Sequence, residues 1–426
     1  MTSFFADYAW IDGAVARDVR LDVAGGRFTA VTPGGAADGA TRLTGLVLPG
    51  LANVHSHAFH RALRGRTHTG RGSFWSWRDQ MYALAGTLDP DRYLALARAV
   101  YGEMALAGIT CVGEFHYLHH GPGGVPYADP NAMGHALIEA ARQAGIRITL
   151  LDTLYLTSTV DGAPLEGVQR RFGDRDADAW RSRVDAIRPA PHAVTGAAVH
   201  SIRAVPAMVL SGLSAGGPLH VHLSEQRAEN DQCLAVYGCS PTELLHRHGV
   251  LGPQTTAVHA THLTDGDIKT LGGTGTGVCL CPTTERDLAD GIGPARALAD
   301  AGSPISLGSD SHAVIDLFEE ARAVELDERL ATQRRGWFSP AELLAAGTNH
   351  GALGWRDAGA LVPGHRADLV AVRLDSVRTA GAVPAQAMFA ATAADVTHVV
   401  VDGRTIVADG RHTGFDVAAA LREVLS

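Results

Sequence analysis

The sequence predicts an α/β protein built as a distorted (β/α)8 TIM-type barrel, with a small β-sandwich domain formed by both termini. Three observations predict this fold. Eight short apolar segments rich in β-forming residues alternate with segments of helical periodicity between residues 46 and 312, a pattern typical of parallel strands with crossover helices. The chain of 426 residues is 46% hydrophobic, which suffices for a barrel-sized core. Both ends show β-alternation broken by Asp-Gly and Gly-Gly pairs.

Eight predicted strands make up the barrel. They lie, in chain order, at residues 46–57, 109–117, 146–156, 193–201, 218–225, 255–263, 277–284 and 304–312. Helical periodicity follows several of them, as at residues 93–108, 131–145 and 176–187, and the first two of these segments end on a glycine that suits a helix C-cap. An open doubly wound sheet is the alternative, but no Gly-rich dinucleotide fingerprint follows the first strand.

The terminal segments predict a second, smaller unit. Residues 10–33 and 397–412 alternate apolar and polar side chains between Asp-Gly or Gly-Gly pairs, which is the chemistry of hairpin turns. Because both ends share this character, we expect them to pair. The predicted division is 1–48 with 361–426 as the β-domain and 49–360 as the barrel.

Charge and cysteine content narrow the classes of partner and compartment. The net charge is -9 and Lys269 is the only lysine, so no basic stripe exists that would hold nucleic acid. The five cysteines are scattered and odd in number, unlike a disulfide framework. The N-terminal segment shows no basic region followed by a long apolar run, and no window approaches eighteen consecutive apolar residues. We therefore expect a cytoplasmic protein with no membrane or nucleic-acid partner.

Side chains of the metal-ligand type gather at the ends of the predicted strands. His55 and His57 end the first strand, and because side chains alternate along a strand, both point the same way. Such a pair is weak evidence alone, but His222 and Asp310 stand at matching ends of the fifth and eighth strands. Three imidazoles and one carboxylate suit a borderline divalent ion such as zinc.

This constellation resembles the amidohydrolase superfamily, which carries His-x-His after strand one, histidines on strands five and six, and an Asp on strand eight. Superfamily members with two metals often bridge them through a carbamylated lysine near strand four, but Lys269 lies in a helical stretch between strands six and seven. The resemblance therefore implies one metal ion. The position of Glu225, three residues after His222, resembles the pattern of the deaminase branch of this superfamily.

Several blocks resemble the N-formimidoyl-L-glutamate deiminase family in particular. They include "HSHAFHRALRG", "SFWSWRDQMY", "EFHYLHHGPGG", "VHSIRAV", "HVHLSEQ", "VHATHL", "CPTTERDLADGIGP" and "GSDS". The resemblance implies zinc ligands, a proton-handling group and substrate contacts. The implied zinc ligands are His55, His57, His222 and Asp310, the catalytic residues are Glu225, His259 and Asp310, and the substrate contacts are Arg78, Tyr117, His200 and Arg203.

One substrate-facing position departs from the family. His60 stands where better-known members have glutamine, and we interpret it as a substrate-side residue rather than a third ligand of the cluster. An imidazole still donates or accepts one hydrogen bond there.

The resemblance implies hydrolytic deamination of N-formimidoyl-L-glutamate, a dicarboxylate of histidine degradation. It also implies a homodimer that binds one Zn²⁺ or another divalent transition metal such as Fe²⁺. Zinc lowers the pKa of bound water toward roughly 7, and two arginines, Arg78 and Arg203, offer planar partners for two carboxylates. Without the family, Arg78 could instead pair with Asp79 on the surface. The alternatives in function are a deaminase of an aromatic heterocycle such as guanine or a triazine, and a non-catalytic structural relative.

Overall fold

A computed structural model of the protein describes residues 2–68, 71–213 and 216–426. The strands are β1 (Thr2–Ile11), β2 (Ala14–Ala24), β3 (Arg27–Pro33), β4 (Thr41–Pro49), β5 (Leu51–Ser56), β6 (Ile109–His116), β7 (Arg147–Leu154), β8 (Ala193–Val199), β9 (Leu219–Leu223), β10 (Thr255–His259), β11 (Gly277–Leu280), β12 (Ile305–Leu307), β13 (Leu369–Val372), β14 (Val396–Val401), β15 (Arg404–Ala408) and β16 (Arg411–His412).

Helices fill most of the connections between the barrel strands. They are α1 (Phe74–Ala85), α2 (Pro90–Leu106), α3 (Ala132–Ala144), α4 (Ala177–Asp185), α5 (Ala207–Leu210), α6 (Arg227–Tyr237), α7 (Pro241–Arg247), α8 (Asp265–Thr274), α9 (Pro282–Asp287), α10 (Ala295–Ala301), α11 (Leu317–Thr332), α12 (Pro340–Gly347) and α13 (Val417–Leu425). Short 3-10 turns at residues 58–63 and elsewhere complete the connections.

The eight strands β5 to β12 form one parallel sheet in chain order. A bridge between Ser56 and Asp310 joins the last strand end to the first, so the sheet closes into a barrel. The strands are buried along almost their whole length, because helices cover the outer face and side chains fill the interior. The predicted fold class is confirmed.

The first barrel strand is shorter than we predicted. We expected one strand over residues 46–57, but Thr41–Pro49 is β4 of the terminal sheet and the barrel strand β5 begins at Leu51. Gly50 separates them: its N–H donates to Asp368 O, and a Cβ there would meet the Thr110 side chain at 2.5 Å. An apolar run therefore continues through a change of sheet, which periodicity alone does not reveal.

The terminal segments form a second sheet of eight strands, in the order β16-β15-β14-β13-β4-β1-β2-β3. Three of its Asp-Gly pairs, at residues 12–13, 402–403 and 409–410, are turns in which both residues have positive φ, as at Asp12 (49°) and Gly13 (80°). Alternate side chains from both chain ends, including Phe4, Leu21 and Leu369, share one buried core. The sheet thus joins the two termini, while the residue boundaries of the two domains stay a prediction.

An ion pair and a helix contact are among the links that attach this sheet and the C-terminus to the barrel. Arg147 of β7 forms a fully buried ion pair with Asp368, just before β13. Helix α13 packs against α2, where Gly102 leaves room for Phe415. Among the described helices, none is both long and apolar enough to cross a membrane. The five cysteines are free and buried.

Candidate metal and substrate site

The carboxyl ends of the barrel strands open into one cavity, as the barrel architecture requires. Helix α1 borders this cavity on one side. All the predicted site residues line the cavity except His55, which lies fully buried beside it. The predicted residues in the lining are His57, His60, Arg78, Tyr117, His200, Arg203, His222, Glu225, His259 and Asp310.

Two of the candidate ligand histidines turn the same ring nitrogen toward the cavity. Nδ1 of His57 donates to the carbonyl oxygen of Phe115 (2.9 Å), and Nδ1 of His222 donates to that of His200 (2.8 Å). A ring nitrogen that binds a carbonyl oxygen carries the proton, so Nε2 of each ring keeps its lone pair. Such carbonyl contacts fix the orientation and tautomer of metal-binding histidines.

The distances between the candidate ligand atoms suit a small cation. Nε2 of His55 lies 3.3 Å from Oδ1 of Asp310 and 3.2 Å from Nε2 of His222, and Nε2 of His57 lies 3.5 Å from the same Asp310 oxygen. Ligands at 2.0 to 2.1 Å from a tetrahedral zinc ion are separated by about 3.3 Å. These three separations agree with that value. The ligand atoms fall in two groups that share His55, one with His57 and Asp310 and one with His222 and His259, so these residues could hold one zinc ion.

Burial sets the protonation states that metal binding requires. Burial and the neighbouring His55 lower the pKa of His57 to about 3, and burial lowers that of His222 well below its usual value. Burial would raise the pKa of Asp310, but the hydrogen bond and charge of His55 outweigh it and hold this pKa far below the ordinary range. At neutral pH the site therefore offers neutral imidazoles and an ionised carboxylate.

A second group beside these residues can hold and move protons. Nε2 of His259 lies 3.7 Å from Glu225 and 3.8 Å from Asp310, while its Nδ1 lies 3.4 Å from Glu285. Burial alone would lower the pKa of His259, but these carboxylates raise it well above its usual value. Burial also raises the pKa of Glu225. Both groups lie at the cavity wall, and both have a raised pKa, which suits a general acid or base.

The two predicted arginines have different surroundings. Arg203 lies 3.2 Å from Glu229 and 3.5 Å from Glu225, so its charge is already compensated. Arg78 packs over the rings of Trp75 and Tyr82 and forms no ion pair with any described carboxylate, Asp79 included. Its side chain faces the cavity, so Arg78 is the better placed of the two to bind an anionic substrate group.

His60 lies between the ligand histidines and the aromatic wall. Its ring packs on His57, with ring centroids 4.5 Å apart, and its Nε2 lies 2.9 Å from the hydroxyl of Tyr117. Burial and His57 lower the pKa of His60 well below its usual value, so the ring is neutral. On the other side of the cavity, His200 contacts the rings of Tyr117 and Tyr155.

A further buried group has metal-type side chains but a different partner. His116, His119 and Asp152 lie close enough together to share an ion. Arg183, however, donates to both oxygens of Asp152 at 2.8 Å, and Trp180 donates to one of them. The carboxylate is therefore neutralised by a guanidinium, and we interpret this group as a buried ion pair that attaches α4 to β7.

Sequence reasoning missed the part of the cavity wall that α1 contributes beside Arg78. Phe74, Trp77, Met81 and Tyr82 line the cavity from α1 together with Arg78. Their spacing at i, i+3, i+4, i+7 and i+8 marks one helix face, a signal that was present in the sequence.

Two partner carboxylates were also missed. Glu229 follows Glu225 by four residues and contacts Arg203, and Glu285 contacts His259 from α9. The spacing of Glu225 and Glu229 could have indicated the first of these. Nothing in the spacing indicated Glu285, because the fold alone brings it to His259.

Comparison with known proteins agrees with this geometry. Formimidoylglutamate deiminase from Pseudomonas aeruginosa is 36% identical over 98% of this chain and 97% of its own length. 8-Oxoguanine deaminase from the same organism is 30% identical over 88% of this chain and 85% of its own length. The crystal structure of an amidohydrolase from Brucella melitensis superposes with a TM-score of 0.91, at 32% identity, over 100% of this chain and 99% of that one.

The sequence profile of the amidohydrolase family, finally, matches residues 46–406, which include the whole barrel and every candidate site residue. The match and the relatives extend over far more than half of the chain, and the barrel with its His-x-His strand end has the geometry described above. The chain belongs to the amidohydrolase family.

Proposed function

We propose that this chain is a zinc-dependent deiminase that hydrolyses N-formimidoyl-L-glutamate to N-formyl-L-glutamate and ammonia, a step of histidine degradation. The observation that carries the proposal is the meeting of three groups in one cavity: ligand-type residues around His55, the Glu225–His259 proton pair and the uncompensated Arg78. The similarity to a formimidoylglutamate deiminase over nearly the whole chain supports the choice of substrate.

The proposed metal ligands are His55, His57, His222 and Asp310, which hold one zinc ion or another divalent transition metal such as Fe²⁺. Imidazole nitrogens with one carboxylate oxygen are the donors that zinc prefers over magnesium or calcium. Bound zinc lowers the pKa of water from 15.7 toward roughly 7, which supplies a nucleophile at neutral pH.

The proton steps fall to Asp310, His259 and Glu225. Attack of water on the formimidoyl carbon releases protons, and Asp310 accepts the first of them. His259, which its raised pKa keeps protonated at neutral pH, stabilises the charge at the same point of the cavity. Glu225 delivers a proton to the departing nitrogen so that it leaves as ammonia. The raised pKa of Glu225 suits this role, since a carboxyl group must be protonated before it can act as an acid.

The substrate's carboxylates meet the opposite wall. Arg78 binds one of them with its planar guanidinium, and Arg203, held by Glu229, contributes a second positive charge. His60, Tyr117 and His200 offer hydrogen-bonding groups between the carboxylates and the reacting carbon. A cytoplasmic homodimer that binds neither nucleic acid nor membrane completes the proposal.

A heterocycle deaminase is the second candidate function. The aromatic wall of α1 could stack on a ring such as guanine or a triazine, and one relative is an 8-oxoguanine deaminase. Arg78 is half-buried and has no carboxylate partner among the described residues, which favours an anionic substrate instead, because a neutral ring would offer this charge no partner.

Two variants test the proposed division of roles. His55→Ala should remove zinc and activity together, because the ring supplies a ligand. Glu225→Gln should keep zinc and lose turnover, because the amide has no acidic proton to deliver. Metal content by atomic emission and ammonia release from N-formimidoyl-L-glutamate are measured on both proteins. Equal loss of zinc in both variants would contradict the assignment, and ammonia release from a purine but not from formimidoyl-glutamate would favour the second candidate.

A further inference from the structure

The barrel closes where β5 meets β12, and we call this junction the seam. Three of the four proposed metal ligands lie at the seam, but its two strands form few backbone hydrogen bonds. His55, His57 and Asp310 lie on its two sides. The two strands share a single bridge, with hydrogen bonds from Asp310 N to His55 O (3.0 Å) and from His57 N to Asp310 O (3.2 Å). Neighbouring barrel strands pair over longer stretches, as β7 and β8 do over seven residue pairs. Other contacts must fix the seam.

A chain of buried side chains crosses this seam behind the ligands. Asn53 and Ser309 form two hydrogen bonds, from Asn53 Nδ2 to Ser309 Oγ (2.7 Å) and from Ser309 N to Asn53 Oδ1 (2.9 Å). Ser309 Oγ lies 3.0 Å from Nδ1 of His312, and Nε2 of His312 lies 3.2 Å from Ser56 Oγ. Ser56 Oγ donates to Glu114 at 2.7 Å. Each of these five side chains is fully buried.

With the Glu114 carboxyl group ionised, which its raised pKa of about 7 places at pH above 7, one set of donors and acceptors satisfies this chain. Ser56 donates its single hydroxyl proton to Glu114, so Ser56 Oγ accepts a hydrogen bond from Nε2–H of His312. Nδ1 of His312 is then unprotonated and accepts from Ser309, whose oxygen accepts from Asn53. The direction runs Asn53 to Ser309 to His312 to Ser56 to Glu114, and every link is satisfied by one tautomer.

Both ends of the chain act on ligand residues. Glu114 binds Ser56 with one oxygen and the N–H of Ala58 with the other, both at 2.7 Å, and so holds the residues on either side of His57. On the β12 side, Asp310 and His312 have φ angles of +40° and +59°, a backbone region that is uncommon for residues other than glycine. Ser309 precedes Asp310 directly and is fixed by Asn53.

We propose that the chain from Asn53 through Ser309, His312 and Ser56 to Glu114 is a set of positioning residues that determines the zinc affinity of the site. The inference rests on the proposed function in one respect, the identity of the metal ligands. It assigns to residues outside the cavity the task of holding His57 and Asp310 at ligand spacing. Loss of such outer contacts typically weakens metal binding by about 10- to 100-fold.

Two buried serines three residues apart, Ser306 and Ser309, provide a matched test. Ser309→Ala interrupts the chain at its centre, whereas Ser306→Ala removes a buried hydroxyl that binds only Val278 O (3.2 Å). The dissociation constant for zinc is measured on the full-length proteins by competition with a chromogenic chelator. We expect Ser309→Ala to bind zinc about 10- to 100-fold more weakly. Ser306→Ala should bind it as the parent does, and saturating zinc should restore the turnover of Ser309→Ala.

A second variant tests the same inference if Ser309→Ala does not fold. Glu114→Gln keeps the size of the side chain but turns an amide NH₂ toward Ser56 or Ala58, both of which donate. It should weaken zinc binding to a similar degree. Equal zinc affinity of the parent, Ser309→Ala and Glu114→Gln would overturn the inference alone. A parent protein that binds no zinc would overturn the proposed function as well, and zinc-dependent turnover of another substrate would leave the inference standing.

Discussion

Replacement of Arg203 by methionine should destabilise the fold in a way that depends on pH. Arg203 lies 3.2 Å from Glu229, whose side chain is fully buried. Burial already raises the pKa of Glu229, and the charge of Arg203 opposes that rise. In Arg203→Met the carboxyl group loses its partner, so the folded protein will bind a proton there rather than bury an unpaired charge.

The size of the destabilisation follows from the free energy needed to keep Glu229 protonated in the folded protein. A glutamate in the unfolded chain has a pKa of about 4.3, so keeping it protonated at pH 7 costs up to about 3.7 kcal/mol. This is within the range of about 3 to 5 kcal/mol for breaking a buried ion pair. A raised pKa in the folded variant means that stability increases as the pH falls, so at pH 5 the same cost is only about 1 kcal/mol.

Urea unfolding followed by tryptophan fluorescence at pH 7 and pH 5 measures this difference. Adding Glu229→Gln to Arg203→Met should restore most of the stability at pH 7 and remove the pH dependence. Arg78→Met is the control, because Arg78 has no carboxylate partner among the described residues. It should unfold as the parent does, yet raise KM about 10- to 150-fold if it binds a substrate carboxylate. Equal destabilisation of Arg203→Met at both pH values would refute the reasoning.

Three other predictions concern the site and its surroundings. Gly308→Ala should lower zinc content in purified protein, because a Cβ there would lie 2.7 Å from the Cβ of His55; retention of full zinc content contradicts this. His60→Gln should keep kcat/KM within about tenfold of the parent, because an amide can also bind the Tyr117 hydroxyl, whereas a larger loss would give the imidazole a specific role. Burial and Arg147 lower the pKa of His350 to about 4 in the folded protein, so the unfolded chain binds a proton at this residue first and the protein loses stability as the pH falls below 6.5. His350→Gln should remove about 2 kcal/mol of this loss of stability between pH 7 and pH 5, measured by urea unfolding. An unchanged pH dependence would contradict the assignment.

The candidate ligands could be predicted from strand periodicity, because this pattern depends only on residues that are close together in the sequence. His55 and His57 share a face at any strand end, and the barrel places His222 and Asp310 at the same mouth. The helical spacing around Arg78 was equally local and could have been used for α1.

Other features depend on contacts between distant segments, which local patterns do not encode. The change of sheet at Gly50 depends on Asp368 and Thr110, and the position of Glu285 beside His259 depends on how α9 packs. The network around Ser309 joins residues more than 250 positions apart in sequence. These parts of the site became visible only in the folded chain.

The products of the reaction test the central proposal most directly. N-Formimidoyl-L-glutamate labelled with ¹³C at the formimidoyl carbon is incubated with the zinc-loaded protein and followed by NMR, while ammonia is measured enzymatically. Because Glu225 is proposed to protonate the terminal nitrogen, we predict labelled N-formyl-L-glutamate and ammonia in equal amounts. Labelled formamide with free L-glutamate, or no turnover by protein that contains zinc, would contradict the proposal.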